Sequence, residues 1–190
     1  MWEDRLSDNS NQRIRGRRLD PSGKTLGAAF DVDAKDLGSC RQASLSVGSA
    51  PGFVVAWART DGEGKPAGVF GRQFDQNGVG GAEWLLSSAR GSKAKAAAQA
   101  SGGEIEPVIS RVDAERFVAT WLEGSDGGYK VVYRQAKVAG DELLLGELQR
   151  LDAPSEGYIS GVTVSARADG EFAMGWNQYQ ASGKQRADLF

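Results

Sequence analysis

The chain has 190 residues, a formal net charge of −2, no histidine, one cysteine and 26 glycines. The absence of histidine excludes a Ser-His-Asp triad and a His-ligated zinc ion, and a single cysteine excludes an internal disulfide and a cysteine zinc cluster. The near-neutral charge predicts no strong attraction for nucleic acid or for an anionic membrane, and no apolar run approaches the ~18 residues of a membrane-spanning helix.

The N-terminal region is predicted to contain a strand with alternating arginines, Arg13, Arg15 and Arg17, which would share one face. This face could be a patch for an acidic partner or a solvated edge strand protected by charge. Asp20 follows the strand and is expected to accept backbone N–H bonds in the turn that ends at Gly23. The carboxylates at 31–36 are candidates for acid–base chemistry of the glycosidase type, which needs two carboxyl groups about 5–5.5 Å or about 6.5–9.5 Å apart.

The next region is predicted to form four short antiparallel strands, because it has short runs of β-branched and aromatic residues separated by turn residues. The strands are expected at Ala43–Val47, Gly52–Trp57, Ala67–Phe74 and Ala82–Ser87. Between them, the acidic turn 61–64 could offer oxygens to Ca²⁺, or could contain ordinary turn residues. Cys40, just before the first strand, is expected to be a small buried residue.

The second of these strands is apolar on both faces. Phe53, Val55 and Trp57 point to one face, and Val54 and Ala56 point to the other. A strand that is apolar on both faces is covered on both sides. The sequence therefore predicts sheets that stack face to face.

The middle region repeats this arrangement with changes. Phe117 and Trp121 recur in a second core strand, and an Ala/Lys-rich segment at 90–99 makes this unit longer and is expected to be an exposed excursion between blades. The acidic turn at 126–128 is a second calcium candidate. Arg134 is retained after the core strand, but Lys137 replaces the expected aspartate, which puts the hairpin of this unit in question.

The whole chain is organised by these repeats. The tryptophan that ends each core strand occurs at Trp2, Trp57, Trp121 and Trp176, with spacings of 55, 64 and 55 residues. One repeat domain, 1–190, is predicted, with units at approximately 1–57, 58–121, 122–176 and a partial unit at 177–190. Stacked four-stranded antiparallel sheets predict an all-β, propeller-like fold of about three and a half repeats, with a β-sandwich as the alternative.

The pattern Phe-Val-Val-x-Trp, followed by Arg-x-Phe-Asp-x-x-Gly, resembles the β-propeller-type repeats of large secreted and surface-attached bacterial proteins. The residues that match it, or repeat it in other units, are Trp2, Arg17, Asp20, Phe53, Trp57, Arg72, Phe74, Asp75, Gly78, Phe117, Trp121, Arg134, Phe172 and Trp176. The repeated arginines are expected on an inter-blade face, paired with a turn aspartate or stacked on a tryptophan of the next blade. The resemblance implies an extracellular, periplasmic or cell-surface location and no shared catalytic motif.

The sequence favours a non-enzymatic structural or interaction module, acting as an accessory subunit or segment of an envelope or extracellular protein assembly. Other protein subunits, or self-association, are expected to complete the ring, because the predicted repeats do not close one comfortably. We expect no cofactor, no nucleic-acid partner and no membrane-spanning segment. The alternatives are a carbohydrate-binding lectin or glycosidase-type propeller, and a calcium-dependent adhesive repeat.

Overall fold

The computed structural model describes residues 1–5, 12–33, 38–48, 50–87, 104–125, 128–140, 142–151, 158–179 and 185–189. Within these ranges the chain forms strands and turns and no helix. The strands are β1 (Trp2–Arg5), β2 (Gln12–Leu19), β3 (Thr25–Asp31), β4 (Ser39–Val47), β5 (Phe53–Thr60), β6 (Pro66–Phe74), β7 (Gly80–Leu85), β8 (Glu104–Arg111), β9 (Arg116–Ser125), β10 (Gly128–Ala139), β11 (Glu142–Leu145), β12 (Gln149–Leu151), β13 (Tyr158–Ala166), β14 (Phe172–Tyr179) and β15 (Gln185–Leu189). A helix long and apolar enough to cross a membrane does not occur in these ranges.

The strands form four antiparallel sheets, each built from strands that follow one another along the chain. We name them blade 1 (β1–β3), blade 2 (β4–β7), blade 3 (β8–β12) and blade 4 (β13–β15). In blade 3 the outer strand is divided, and β11 and β12 both pair with β10. The sandwich alternative is wrong, because the described strands form four sheets rather than two. The predicted unit boundaries at the tryptophans run through the blades, so the units 1–57, 58–121 and 122–176 each combine parts of two sheets, whereas the described residues of the partial unit 177–190 lie in blade 4.

The four predicted strands of blade 2 are confirmed, with ends that differ by a few residues. The turns between β5 and β6 and between β6 and β7, and the turn between β2 and β3 of blade 1, share one geometry. In the turn at 75–79, the Asp75 Oδ1 atom accepts the backbone N–H groups of Asn77 and Val79, both at 2.8 Å, and Gly78 has φ +83°. Asp20 and Asp61 make the equivalent pairs of bonds at 2.9 Å. The Asp-x-x-Gly pattern therefore sets the hairpins, because the carboxylate satisfies two backbone donors and the glycine adopts the left-handed conformation.

The core lies between the blades. Phe53, Val55 and Trp57 belong to a buried cluster shared with blade 1, whereas Val54 and Ala56 belong to a cluster shared with blade 3. The predicted alternation is thus confirmed, and β5 is buried along its whole length. Blades 3 and 4 share two further buried clusters; one includes Trp176, and Phe172 packs against the other. Stacking buries both faces of each inner sheet, which supplies most of the hydrophobic stabilisation.

One prediction about an individual strand is wrong, and the expected departure at Lys137 is observed. The arginine-bearing strand β2 lies between β1 and β3, so it is not an edge strand. In blade 3, β10 continues through Lys137 to Ala139 before it turns into β11. Without the aspartate, β10 extends past the position at which the blade 2 turn begins, and the hairpin turns at Gly140, which has φ +62°. The predicted excursion at 90–99 lies outside the described residues.

Candidate interaction surface

The first strands of successive blades, β4, β8 and β13, lie next to one another, and side chains of one cap backbone donors of the next. The Ser46 Oγ atom accepts the N–H of Arg111 at 2.9 Å, and Ser44 Oγ accepts the N–H of Ile109 at 3.3 Å. One blade further on, Ser110 Oγ accepts the N–H of Ala166 at 2.9 Å. These bonds matter because a first strand is the edge of its own sheet, and its outward N–H groups would otherwise lack partners.

A second set of bonds between blades involves the residue of each first strand at which the strand register shifts. Gln42, Glu106 and Gly161 occupy the same place in β4, β8 and β13, where the strand register shifts and φ is +56°, +53° and +62°. The Glu106 carboxylate accepts the Gly161 N–H at 2.7 Å, and the Gln42 side-chain oxygen accepts the Glu106 N–H at 3.2 Å. The Gln42 N–H is in turn accepted by Glu3 of β1 at 2.7 Å. The chain of contacts therefore links all four blades.

The repeated arginines lie between blades, but their partners differ from the predicted ones. Arg134 is 3% exposed and donates from Nη1 to the Leu86 carbonyl of blade 2 at 2.8 Å. Arg72 donates from Nη1 to the Val32 carbonyl of blade 1 at 3.2 Å. Both acceptors lie just after the last strand of the preceding blade, so the guanidinium joins two blades through the main chain. Burial lowers the pKa of Arg134 from its ordinary value.

The three N-terminal arginines have different surroundings. Arg13 is buried and pairs with buried Asp33 at 2.6 Å, whose other oxygen accepts the Ile14 N–H at 2.8 Å. Arg15 lies near Asp31 at 3.4 Å and near Asp4 at 3.6 Å. The predicted basic patch is therefore largely neutralised. Arg17 remains exposed and makes no hydrogen bond or ion pair with the described residues.

The tryptophans of the core strands β5, β9 and β14 are buried in the packing between blades and are not accessible to a ligand at the surface. Trp57 and Trp121 are 0% exposed and Trp176 is 7% exposed, because each packs against the preceding blade. Trp2 has no preceding blade among the described residues, and it is 41% exposed. The repeat position is thus structural wherever a neighbour covers it.

An apolar cleft of about 360 Å³ lies between blades 1 and 2. Its lining residues are Met1, Gly16, Arg17, Arg18, Leu19, Leu26, Phe30, Val32, Leu45, Val47, Gly52, Phe53 and Gln76. Four of the aliphatic side chains are at least 43% exposed: Leu19, Leu26, Leu45 and Val47. Single exposed apolar residues are ordinary, but a contiguous group around a cleft marks a contact site. We call it the first-boundary cleft.

The candidate metal and nucleophile positions have structural contacts. The Asp61 Oδ1 atom is used by its own turn, and residues 126–127 of the other calcium candidate lie outside the described ranges. In the described part of the chain, no group of three or more His, Cys, Asp or Glu side chains could hold a metal ion. Cys40 is buried, and burial raises the pKa of its thiol to about 11, so it stays in the unreactive thiol form near neutral pH.

Sequence reasoning missed the capping serines and Arg111. Arg111 is 7% exposed and donates from Nη1 to the Gly52 carbonyl of blade 2 at 3.0 Å. The available signal was the alternation of hydroxyl and apolar residues in the first strands, at Ser44 and Ser46 and again at Thr163 and Ser165. No sequence signal identifies a distant carbonyl as the partner of Arg111.

Comparison with known proteins identifies the fold class. No protein-family model and no curated protein matches the chain. The endo-arabinase from Bacteroides thetaiotaomicron VPI-5482 is similar in structure, with a TM-score of 0.50 and 14% identity, over 94% of this chain and 64% of that one. A subtype N11 neuraminidase-like protein of A/flat-faced bat/Peru/033/2010 (H18N11) has a TM-score of 0.48 and 12% identity, over 95% of this chain and 53% of that one. The chain thus spans less than two thirds of either structure, and it has a β-propeller fold.

Proposed function

We propose that the chain is a non-enzymatic interaction module, working as a subunit or segment of a larger protein assembly. The observation that carries the proposal is the first-boundary cleft. Leu45 is 44% exposed, whereas Ile109 and Val164, at the same place in blades 3 and 4, are 3% and 7% exposed. The same apolar position is covered at two boundaries and open at the third, which favours a further protein contact there.

The location belongs to the same proposal. Repeats that resemble these occur in secreted and surface-attached bacterial proteins, so we expect an envelope or extracellular assembly. Cell fractionation with an antibody against the chain tests this part. Recovery in the cytosolic fraction alone would contradict the location and leave the proposed contact intact.

Cross-linking of the native assembly tests the contact itself. Lys24 lies in the turn between β2 and β3, close to the cleft, whereas Lys130 lies on β10 of blade 3. We expect cross-links to other protein from Lys24 in preference to Lys130, and loss of the assembly in Leu45→Asp. Leu144→Asp is the control, because Leu144 is 54% exposed on blade 3. A chain recovered from its source as a lone monomer would overturn the proposal.

A second candidate, a glycosidase-type or carbohydrate-binding propeller, is favoured by the similarity in fold to an endo-arabinase. Other observations weigh against it. Sugars stack on accessible aromatic faces, and the core tryptophans Trp57 and Trp121 are fully buried. A glycosidase also needs a carboxylic acid with a raised pKa, whereas among the described residues the carboxyl groups whose pKa shifts, those of Asp20, Asp75 and Asp113, shift downward. Release of reducing sugar from arabinan, or binding on a glycan array, would establish this candidate instead.

A further inference from the structure

Four turns of the chain share a backbone arrangement but differ in the residue that precedes their glycine. In each turn the glycine N–H is bonded to the carbonyl three residues earlier, and the glycine has a φ between +79° and +98°. The four pairs are Ser22–Gly23, Glu63–Gly64, Asn77–Gly78 and Asp169–Gly170. Of these four, the pair in blade 2 is the one in which a side-chain amide lies next to the glycine nitrogen.

This amide can react with the nitrogen that follows it. Attack of the Gly78 nitrogen on the Asn77 side-chain carbon closes a five-membered ring, and a reaction within one molecule is far faster than the same reaction between two molecules. The equivalent turns lack this route. Glu63 would need a six-membered ring, and Ser22 has no side-chain carbonyl. The Asp169 carboxylate is a poor electrophile.

The turn leaves the two reacting groups open. The Asn77 side chain is exposed, and Gly78 has no side chain that would shield its nitrogen. The Gly78 N–H is bonded to the Asp75 carbonyl at 3.1 Å, whereas the equivalent bonds of the other three turns are 2.9–3.0 Å. One long hydrogen bond therefore has to open before the nitrogen can react.

The same turn forms part of the contact between blades 1 and 2. The Gln76 carbonyl accepts a hydrogen bond from Arg18 Nη1 at 2.5 Å. The main chain at Gly78 lies so close to blade 1 that an added Cβ atom would be 3.3 Å from the Phe30 ring. A change in the length of the main chain in this turn would displace both contacts.

We propose that Asn77 is a modification site, at which the folded chain converts asparagine into aspartate and isoaspartate without an enzyme. The Gly78 nitrogen bonds to Cγ of Asn77, the Cγ–Nδ2 bond breaks, and the amide nitrogen leaves as ammonia with the proton that Gly78 loses. Water then opens the cyclic imide at either of its two carbonyl carbons. In sum, one water is consumed and one ammonia is released.

The two products differ in their effect on the turn. Both add a negative charge beside Asp75, and isoaspartate also lengthens the main chain by one methylene group. The second product therefore loosens the contact that the turn makes with blade 1. This inference goes beyond the proposed function and does not depend on it.

Mass spectrometry of the full chain during incubation at mildly alkaline pH tests the modification. We expect the mass change from amide to acid at Asn77, partly as isoaspartate. Its rate should be about two- to tenfold below that of an N-acetylated peptide of residues 73–81, because folding adds one hydrogen bond that must open. Asn77→Gln should abolish the conversion. Asn177, which lies in β14 before Gln178, should remain an amide.

Hydrogen exchange tests the effect on the turn. The Val79 N–H is bonded to Asp75 Oδ1 at 2.8 Å, and it should exchange faster in the isoaspartate fraction than in the unmodified chain. The Lys65 N–H has the equivalent bond to Asp61 Oδ1 at 2.9 Å. Its exchange should not change, so it is the matched control within the same blade.

Three results would overturn the inference. The first is an unmodified Asn77 in the folded chain after the peptide has converted completely. The second is conversion that occurs in urea but not in the folded chain, which would place the reaction in the unfolded state. The third is an equal gain of acid in Asn77→Gln, which would place the reaction at another residue. Unchanged circular dichroism of this variant confirms that it folds.

Discussion

Arg17, Arg72 and Arg134 hold the same repeat position but have different surroundings. Arg134 is buried and bonded to a carbonyl of blade 2, Arg72 reaches a carbonyl of blade 1, and Arg17 has no preceding blade among the described residues and is exposed. The contribution of this arginine to stability therefore depends on whether the preceding blade provides a hydrogen-bond acceptor. A buried, charged donor stabilises only when an acceptor satisfies it, since burial of the charge alone is unfavourable.

Substitution of the buried arginine tests this dependence. Arg134→Met removes the bond to the Leu86 carbonyl, and we expect the free energy of unfolding to fall by about 1.5–3 kcal/mol, the range for hydrogen bonds to charged groups. Arg17→Met is the matched control, and its effect should stay within about 0.5 kcal/mol, as for other exposed positions. Urea denaturation measures both. Equal effects would show that Arg134 does not act through the inter-blade bond.

At the scale of the element, the Asp-x-x-Gly turns depend on ionised carboxylates. The hydrogen bond from Ser22 is the main cause that lowers the pKa of Asp20, and the Val79 N–H is the main cause for Asp75. A lowered pKa in the folded state means that the contribution to stability is present above the ordinary value of about 3.9. It is lost as the pH falls through the folded-state value.

We therefore expect the chain to lose stability on acidification below about pH 4, partly through these turns. The double variant Asp20→Asn, Asp75→Asn keeps an acceptor oxygen at each turn but cannot titrate, so its stability should depend less on pH in this range. Glu142→Gln, which changes an exposed carboxyl outside these turns, is the matched control. Urea midpoints at a series of pH values compare the three proteins. The same acid slope in all three would exclude the turns as its source.

The sequence predicted the elements that rest on local chemistry. The alternation of Phe53 and Val54 predicted both buried faces of β5, and Asp75 with Gly78 predicted the turn. Contacts between blades were harder to predict, because the acceptors of Arg72 and Arg134 are carbonyl groups, which every residue carries. The left-handed conformation of Gln42 and Glu106 also has no local signal, since neither is glycine. The resemblance to bacterial surface repeats stays a prediction.

At the scale of the whole molecule, the side-chain bonds that join the first strands of successive blades all have the same direction. The earlier blade supplies side-chain acceptors such as Ser44 and Ser46, and the later blade supplies backbone donors and the bridging arginine. The two outer surfaces of the array therefore differ. Blade 1 presents exposed Trp2 and Arg17, whereas blade 4 presents exposed hydroxyl residues at Thr163 and Ser165.

Tryptophan fluorescence reports the surface of blade 1. Trp2 is 41% exposed, whereas Trp57 and Trp121 are fully buried. We expect acrylamide to quench mainly the Trp2 emission, so Trp2→Phe should remove most of the quenchable signal and shift the remaining emission to shorter wavelength. If Trp2→Phe leaves the quenching unchanged, the tryptophan of β1 is covered in solution and blade 1 already has a neighbour.

The bonds between first strands have a consequence for how such a chain can diverge. One half of each bond is a peptide N–H, which no substitution except proline removes. The other half needs only a small hydroxyl, amide or carboxylate, as Ser46, Gln42 and Glu106 illustrate. Successive units can thus drift far apart in sequence and still join. Duplication of one segment adds a unit that already fits its neighbours, so arrays of this kind can lengthen without a second, compensating mutation.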